Sequence, residues 1–302
     1  MSKKIFITGG AGFIGSAIIK VLAENNELLV YDDLSFGNKR FIDLNKVKFI
    51  EGNILNNNAL RKAIVDFSPN YVLHLAAIHF IPYCNEHPFE SSNINITGTL
   101  NVLNICRELP HLEKVFFAST AAVYPIHDEP INETLSAAPS DVYGLSKYAG
   151  EEFCKLFYAE TNIPTIICRF FNAFGPNETN PHLIPVILEQ IKNGNRSIKL
   201  GNTKPKRDFI HTYDMAQAVS LLLKNFNTGI DIFNLGRGEE YSVEEVIHAF
   251  ENAMGEKLEI ITDPLKVRKT DRLHLLSNIN KLTNFISWQP TISLENGIKT
   301  LL

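Results

Sequence analysis

The stretch Lys3-Lys4-Ile5-Phe6-Ile7-Thr8-Gly9-Gly10-Ala11-Gly12-Phe13-Ile14-Gly15 decides how the rest of the chain is read. An apolar run over residues 3–8 meets a glycine cluster, and residues 13–24 then carry apolar side chains at helical spacing. Strand, glycine turn and helix in that order let backbone N–H groups close on a pyrophosphate, which sits at the positive end of the helix. Gly9, Gly12 and Gly15, with Phe13 and Ile14 at the helix start, are therefore candidate cofactor contacts. The glycine spacing alone is a weak signal, and its position between a strand and a helix is what strengthens it.

Working outward, Asp32 stands seventeen residues beyond Gly15, after a second apolar run at 27–31. An acid there accepts hydrogen bonds from the adenosine ribose hydroxyls and repels a 2′-phosphate, which favours NAD, while Lys39 and Arg40 leave NADP open. Further strands are expected at 47–51, 71–75, 114–118 and 165–169, alternating with helices at 57–67, 94–108 and 143–161. That alternation implies right-handed crossovers and a doubly wound parallel sheet, an α/β fold of Rossmann type. Gly52-Asn53-Ile54 and His74-Leu75-Ala76-Ala77 follow the third and fourth strands, where small residues let a flat cofactor approach the backbone. Asn53, Ile54, Leu75, Ala76 and Ala77 join the candidate contacts, and His74 reads as a packed core histidine.

After residue 169, proline, glycine and asparagine become frequent, so we expect a dinucleotide-binding lobe over 1–170, with segments near 208–237 returning to it. Residues 171–302 are expected to form a smaller α/β substrate lobe, with helices at 183–193, 215–225, 243–254 and 294–302. The chain has 302 residues and a formal charge of −4, which speaks against a nucleic-acid partner. No stretch approaches the roughly 18–20 apolar residues that cross a bilayer, and the first apolar run is too short for a signal peptide. Cys84, Cys106, Cys154 and Cys168 are spaced neither for a paired metal motif nor for a disulfide framework, so reduced thiols, a cytoplasmic location and no metal site are expected.

Tyr143-Gly144-Leu145-Ser146-Lys147 sets a tyrosine and a lysine at i and i+4, on one face of a helix. A phenol near pKa 10 is a poor base, and a neighbouring ammonium together with a nicotinium ring would lower it until it could take a proton from an alcohol. Thr120, at the end of the 114–118 strand, offers a hydroxyl to the same oxygen.

Taken together, TGGAGFIG at 8–15, Asp32, HLAA at 74–77, Asn95-Ile96-Thr97-Gly98-Thr99, STAAVY at 119–124, YGLSK at 143–147, Arg169-Phe170-Phe171-Asn172, Arg207-Asp208-Phe209 and Arg268 with Asp271 carry a resemblance over nearly the whole chain. The sequence resembles the extended short-chain dehydrogenase/reductases, the NAD-dependent epimerase/dehydratase family, and within it the 4-epimerases of UDP-hexose type. The resemblance implies bound NAD, with Asn95 and Phe170 added to the cofactor contacts. Tyr143 would be the base, Lys147 would tune it and hold the nicotinamide ribose, and Thr120 would hydrogen-bond the sugar oxygen through a transient 4-keto stage. It also implies substrate contacts at His79, Thr120, Asn172, Leu183, Arg207, Arg268 and Asp271, with Ile198 and Leu200 beside the base, and a homodimer formed through helices 95–108 and 143–158.

Related 4,6-dehydratases carry an Asp-Glu pair where this chain has Ala121 and Ala122, and neither alanine can move a proton. Epimerisation of a UDP-hexose or UDP-N-acetylhexosamine is the leading expectation. A dehydratase or keto-sugar reductase is the first alternative, and a non-catalytic NAD-binding regulator the second. The chain departs from the pattern at Asn53, usually Asp; at Pro125, usually Gly; at Phe170, usually Tyr; and at His79, usually Lys. The last change opens either a packing role or an additional general acid with pKa near 6.5.

Overall fold

The computed structural model describes residues 2–264 and 272–302. The first half alternates β1 (Lys4–Thr8), α1 (Phe13–Leu22), β2 (Glu27–Asp32), β3 (Lys48–Glu51), α2 (Asn57–Phe67) and β4 (Tyr71–His74). Short helix α3 (Ile81–Glu86) is followed by one helical run made of α4 (Pro88–Ser92), a π-helical segment Asn93–Thr97 and α5 (Gly98–Cys106), so the helix expected from residue 94 is present and begins earlier. Then come β5 (Lys114–Thr120), α6 (Val142–Thr161) and β6 (Thr165–Phe170). The second half holds β7 (Asn172–Phe174), α7 (Leu183–Lys192), β8 (Ser197–Leu200), β9 (Lys206–His211), α8 (Thr212–Asn225), β10 (Ile230–Leu235), β11 (Glu240–Ser242), α9 (Val243–Met254), β12 (Glu259–Thr262), α10 (Asn280–Ile286) and α11 (Leu294–Lys299).

The main sheet is parallel and seven-stranded, in the order β10-β6-β5-β4-β1-β2-β3. Side chains alternate across a strand, so each strand supplies two cores. Ile5, Ile7, Leu28, Val30, Phe116 and Ile166 face the layer holding α1 and α8, while Phe6, Leu29, Val115, Phe117 and Ile167 face α2, α5 and α6. Residues 212–235 supply the helix α8 and the edge strand β10. Leu282 and Ile286 of α10 also join this core, although a boundary at residue 171 puts them in the other lobe, because the apolar face of the edge strand needs a cover. The smaller lobe has its own core of Phe174, Ile187, Ile198, Leu200, Phe209, Val246, Phe250 and Ile298 beside two small sheets. All four cysteines are free and buried. Among the described residues no helix is long and apolar enough to cross a membrane.

Helix α6 reaches the sheet closely because position 150 is glycine: a Cβ there would strike the Phe117 ring. The next residue, Glu151, meets Arg169 of β6 in a forked pair, Nε to Oε1 at 2.8 Å and Nη2 to Oε2 at 2.6 Å, both side chains being almost fully buried. Ser119 of β5 donates its hydroxyl to Glu151 Oε1 at 2.5 Å, and the guanidinium lies 4.5 Å from the centre of the Tyr124 ring. Burial pulls Arg169 toward neutrality, yet the Glu151 carboxylate outweighs it and holds the guanidinium above its ordinary pKa. Removing one partner of such a pair strands a buried charge. Glu151→Ala is therefore expected to destabilise the protein by about 3–5 kcal/mol, and replacing both residues with apolar ones of similar size to recover most of that, as read from urea denaturation midpoints.

Candidate active site

A cleft of about 1270 Å³ opens between the lobes at the carboxyl ends of the strands, where β1 and β4 are neighbours and the strand order reverses. That exceeds the ~300–1,000 Å³ of a site for one small ligand. At its floor Gly9 takes φ +71°, and a Cβ there would lie 2.5 Å from the backbone nitrogen of Ala76, so only glycine lets the turn cross the end of β4. Gly12 caps α1 with no side-chain hydrogen bond and no acid in the first turn, leaving the N–H groups of that turn to an anion. Asp32 accepts from Ala11 N and from Leu34 N, each at 2.9 Å, so it fixes the glycine loop while facing the cleft, and burial pushes its carboxyl up. Asn53 donates to Asp33 Oδ2 at 2.8 Å and accepts from Leu55 N at 2.8 Å.

Phe13, Ile14, Gly15, Ile54, Leu75, Ala76, Ala77 and Phe170 line the same wall. The residue that departs is Asn95, which is fully buried behind it. Its amide accepts from Ile78 N at 2.8 Å and donates to Ile78 O at 2.9 Å and Ser146 Oγ at 3.0 Å, so it clamps the turn after β4 to α6 instead of lining the cleft. His74 lies in the core between the Thr8 and Thr99 hydroxyls, at 2.7 and 2.9 Å, and burial lowers its pKa to about 3.

The reactive side chains project from α6. Asp141 caps that helix by accepting from Gly144 N at 2.7 Å, which fixes the first turn and with it Tyr143. Tyr143, Lys147 and Thr120 all line the cleft, and Thr120 also accepts from Ala122 N at 3.1 Å as β5 ends. Burial pushes the Tyr143 phenol above its ordinary value, the Thr120 hydroxyl partly offsetting it. The lowering expected from a neighbouring ammonium is thus not what the protein groups deliver. Burial drops Lys147 to about 7, with its ammonium nitrogen 4.1 Å from the centre of the Phe117 ring, so the positive charge that would favour phenolate is itself disfavoured.

On the facing wall stand Asn172, Leu183, Arg207 and His79. Ile198 and Leu200 do not: alternation along β8 turns both into the core of the smaller lobe, and Gly201, Asn202 and Pro205 line the cleft there. Arg268 and Asp271 lie outside the described residues. His79 contacts the Asn180 amide at 3.1 Å, and burial first, then His182 and Lys147, lowers its pKa to about 4, so it stays neutral at physiological pH and is no general acid there. Asp208, beside Arg207, is buried and accepts from Arg237 N, Gly238 N, Ser277 N and the Ser277 hydroxyl, tying two loops to β9. Arg272 was not singled out in the sequence, one position beyond the Arg268–Asp271 motif; it lines the cleft, bonds Tyr124 O at 2.8 Å, and has a buried Nη1 with no partner among the described residues.

Residues 5–236 match the model of the NAD dependent epimerase/dehydratase family. This chain belongs to that family. Among its members, a UDP-glucose 4-epimerase of Halalkalibacterium halodurans is 31% identical, the alignment covering 98% of this chain and 93% of the relative. The crystal structure of a UDP-glucose 4-epimerase with UDP-glucose from Thermotoga maritima matches with a TM-score of 0.91 and 27% identity, over 99% of this chain and 97% of that one. A UDP-N-acetylglucosamine 4-epimerase from Methanobrevibacter ruminantium, in complex with UDP-N-acetylmuramic acid, matches with a TM-score of 0.91 and 26% identity, over 99% and 97%.

For an epimerase/dehydratase family member the Lys147 environment has a measurable signature. Its folded-state pKa of about 7 lies below the ~10.4 of an unfolded lysine, so between those values the unfolded chain binds the extra proton and stability rises with pH. Lys147→Met is expected to flatten that rise between about pH 7 and pH 10, as followed by thermal unfolding at a series of pH values.

Proposed function

We propose that the protein is an NAD-dependent nucleotide-sugar 4-epimerase acting on a UDP-hexose or UDP-N-acetylhexosamine. The observation that carries this is the placing of Thr120, Tyr143 and Lys147 on the wall of the glycine-loop cleft, followed by Ala121 and Ala122, which can neither give nor take a proton. The residues fit the dinucleotide: the Gly9 turn admits no Cβ, the uncapped N-terminus of α1 would offer N–H groups to its pyrophosphate, and the Asp32 carboxylate, on the cleft wall, would meet its ribose. NAD, when bound, supplies the hydride acceptor and donor and a positive ring.

Within that frame Tyr143 takes the proton of the sugar 4-hydroxyl as the carbon is oxidised, and Thr120 steadies the oxygen. Lys147 would hold the nicotinamide ribose and, when it carries its proton, would favour the phenolate. The resulting 4-keto sugar turns in the cleft, and Tyr143 returns the proton as the opposite face is reduced, which inverts C4. Asn172, whose buried amide oxygen has no partner among the described residues, the amides at the start of α7 from Leu183, and Arg207 address the diphosphate; outside the described residues, Arg268 is assigned to the diphosphate as well and Asp271 to the substrate more generally. The relatives described above, named for UDP-glucose and UDP-N-acetylglucosamine, support the UDP-sugar class.

We also assign a homodimer and a cytoplasmic setting. Leu145 and Leu156 are eleven residues apart, on one stripe of α6, and are 58% and 56% exposed, which suits helix pairing with a second copy. The free, buried cysteines suit a reducing compartment.

Incubation with UDP-glucose, UDP-N-acetylglucosamine and their galacto epimers, read by NMR, should interconvert at least one C4 pair. A stable 4-keto or unsaturated product, or consumption of added NADPH, would instead mark a dehydratase or a reductase. Tyr143→Phe should lower turnover by about 10²–10⁴-fold while leaving NAD binding intact. Light scattering should return twice the 34.0 kDa chain mass, and Leu145→Asp with Leu156→Asp should return one chain mass.

A further inference from the structure

We propose that His79, Glu178 and His182 form a binding site for a divalent first-row transition ion, zinc foremost, on the wall of the cleft. One donor atom from each of the three lies within 4.8 Å of the others. His79 comes from the turn after β4, whereas Glu178 and His182 come from the loop between β7 and α7, so the fold brings together two segments far apart in sequence.

Two imidazole nitrogens and one carboxylate oxygen make a donor set of borderline character, suited to zinc, cobalt or nickel and not to magnesium or calcium, which take oxygen ligands. In a tetrahedral zinc site with bonds of about 2.0–2.1 Å, donors stand about 3.4 Å apart, so the three here need to close by no more than about 1.5 Å. Side-chain rotation supplies that. Three protein ligands leave a fourth position, and because all three residues line the cleft, that position faces the ligand space, where a water or a phosphate oxygen would complete the shell.

A single residue organises the surroundings. Asn180 gives its backbone N–H to Glu178 Oε1 at 2.9 Å, and its side-chain amide nitrogen lies 3.1 Å from Nε2 of His79; turning that amide over presents its oxygen to an Nε2–H and leaves Nδ1 for the ion, so one loop position orients two of the three ligands. This is the second layer that metal sites require to hold their ligands in place. The His182 ring is fixed edge-on by Phe80, with centroids 5.5 Å apart.

The proposal does not rest on the epimerase reading, and its test reads metal, not turnover. Tag-free protein is stripped with a chelator, exposed to zinc or to cobalt(II), and freed of excess ion. About one zinc per chain by elemental analysis, with the visible absorption of four-coordinate cobalt, is the expected result. His79→Ala, Glu178→Gln and His182→Ala should each abolish stoichiometric retention, and Asn180→Ala should weaken it about 10–100-fold. His111→Ala, an exposed histidine elsewhere, should retain it. NAD binding by every variant reports that the cleft is folded. Protein that binds NAD but retains no stoichiometric zinc, or triple variants that retain it unchanged, would overturn the assignment. A pH–rate change in His79→Ala without metal binding would also overturn it, marking the cluster as a proton-transfer group.

Discussion

The arrangement of the cleft depends on one buried ion pair. Glu151 and Arg169 join the helix that carries Tyr143 and Lys147 to the strands that end in Thr120 and Phe170. The pair does more than bridge two elements, because Ser119, the neighbour of Thr120, donates into the same carboxylate. Two fixed hydrogen-bond angles on a planar guanidinium allow little sliding of α6 along the sheet, so the distance from the phenol to the Thr120 hydroxyl is set from behind the site. Forked pairs of this kind gain little net stability over apolar packing. What this one contributes is register.

Electrostatically, the cleft is drier than its polar lining suggests. Tyr143 is pushed up and Lys147 down by the same cause, burial, so the protein groups favour the uncharged state of both. In the proposed reaction, a base in such surroundings would await a positive charge beside it, which would confine the hydride chemistry to the filled cleft.

How much of this was legible in the sequence follows from locality. Of the first six strands, five announce themselves because their apolar runs are buried on both faces, the edge strand β3 being short and largely exposed; the Tyr143–Lys147 pair does so because helical spacing alone puts both on one face. β7, β11 and β12 are three or four residues long and carry no such signal. Ile198 and Leu200 were placed against the cleft although the alternation Ser-Ile-Lys-Leu already distinguishes an inward from an outward face. Asn95 sat in a motif associated with the cofactor, yet its role as a clamp depends on Ile78 and Ser146, which only the fold brings near. The cluster at His79 and the position of Arg272 are invisible for the same reason: each exists only where loops from different lobes meet.

Asp32 shows how cofactor choice and loop shape became a single trait. Its two oxygens are already occupied by the amides of Ala11 and Leu34, so the carboxylate that would meet the ribose also serves as the post to which the glycine turn is tied. A lineage drifting toward a 2′-phosphorylated cofactor by removing this acid would release both amides at once and lose the preformed turn along with the preference. The route to a new cofactor therefore runs first through a substitute anchor for the loop, and only then through the charge.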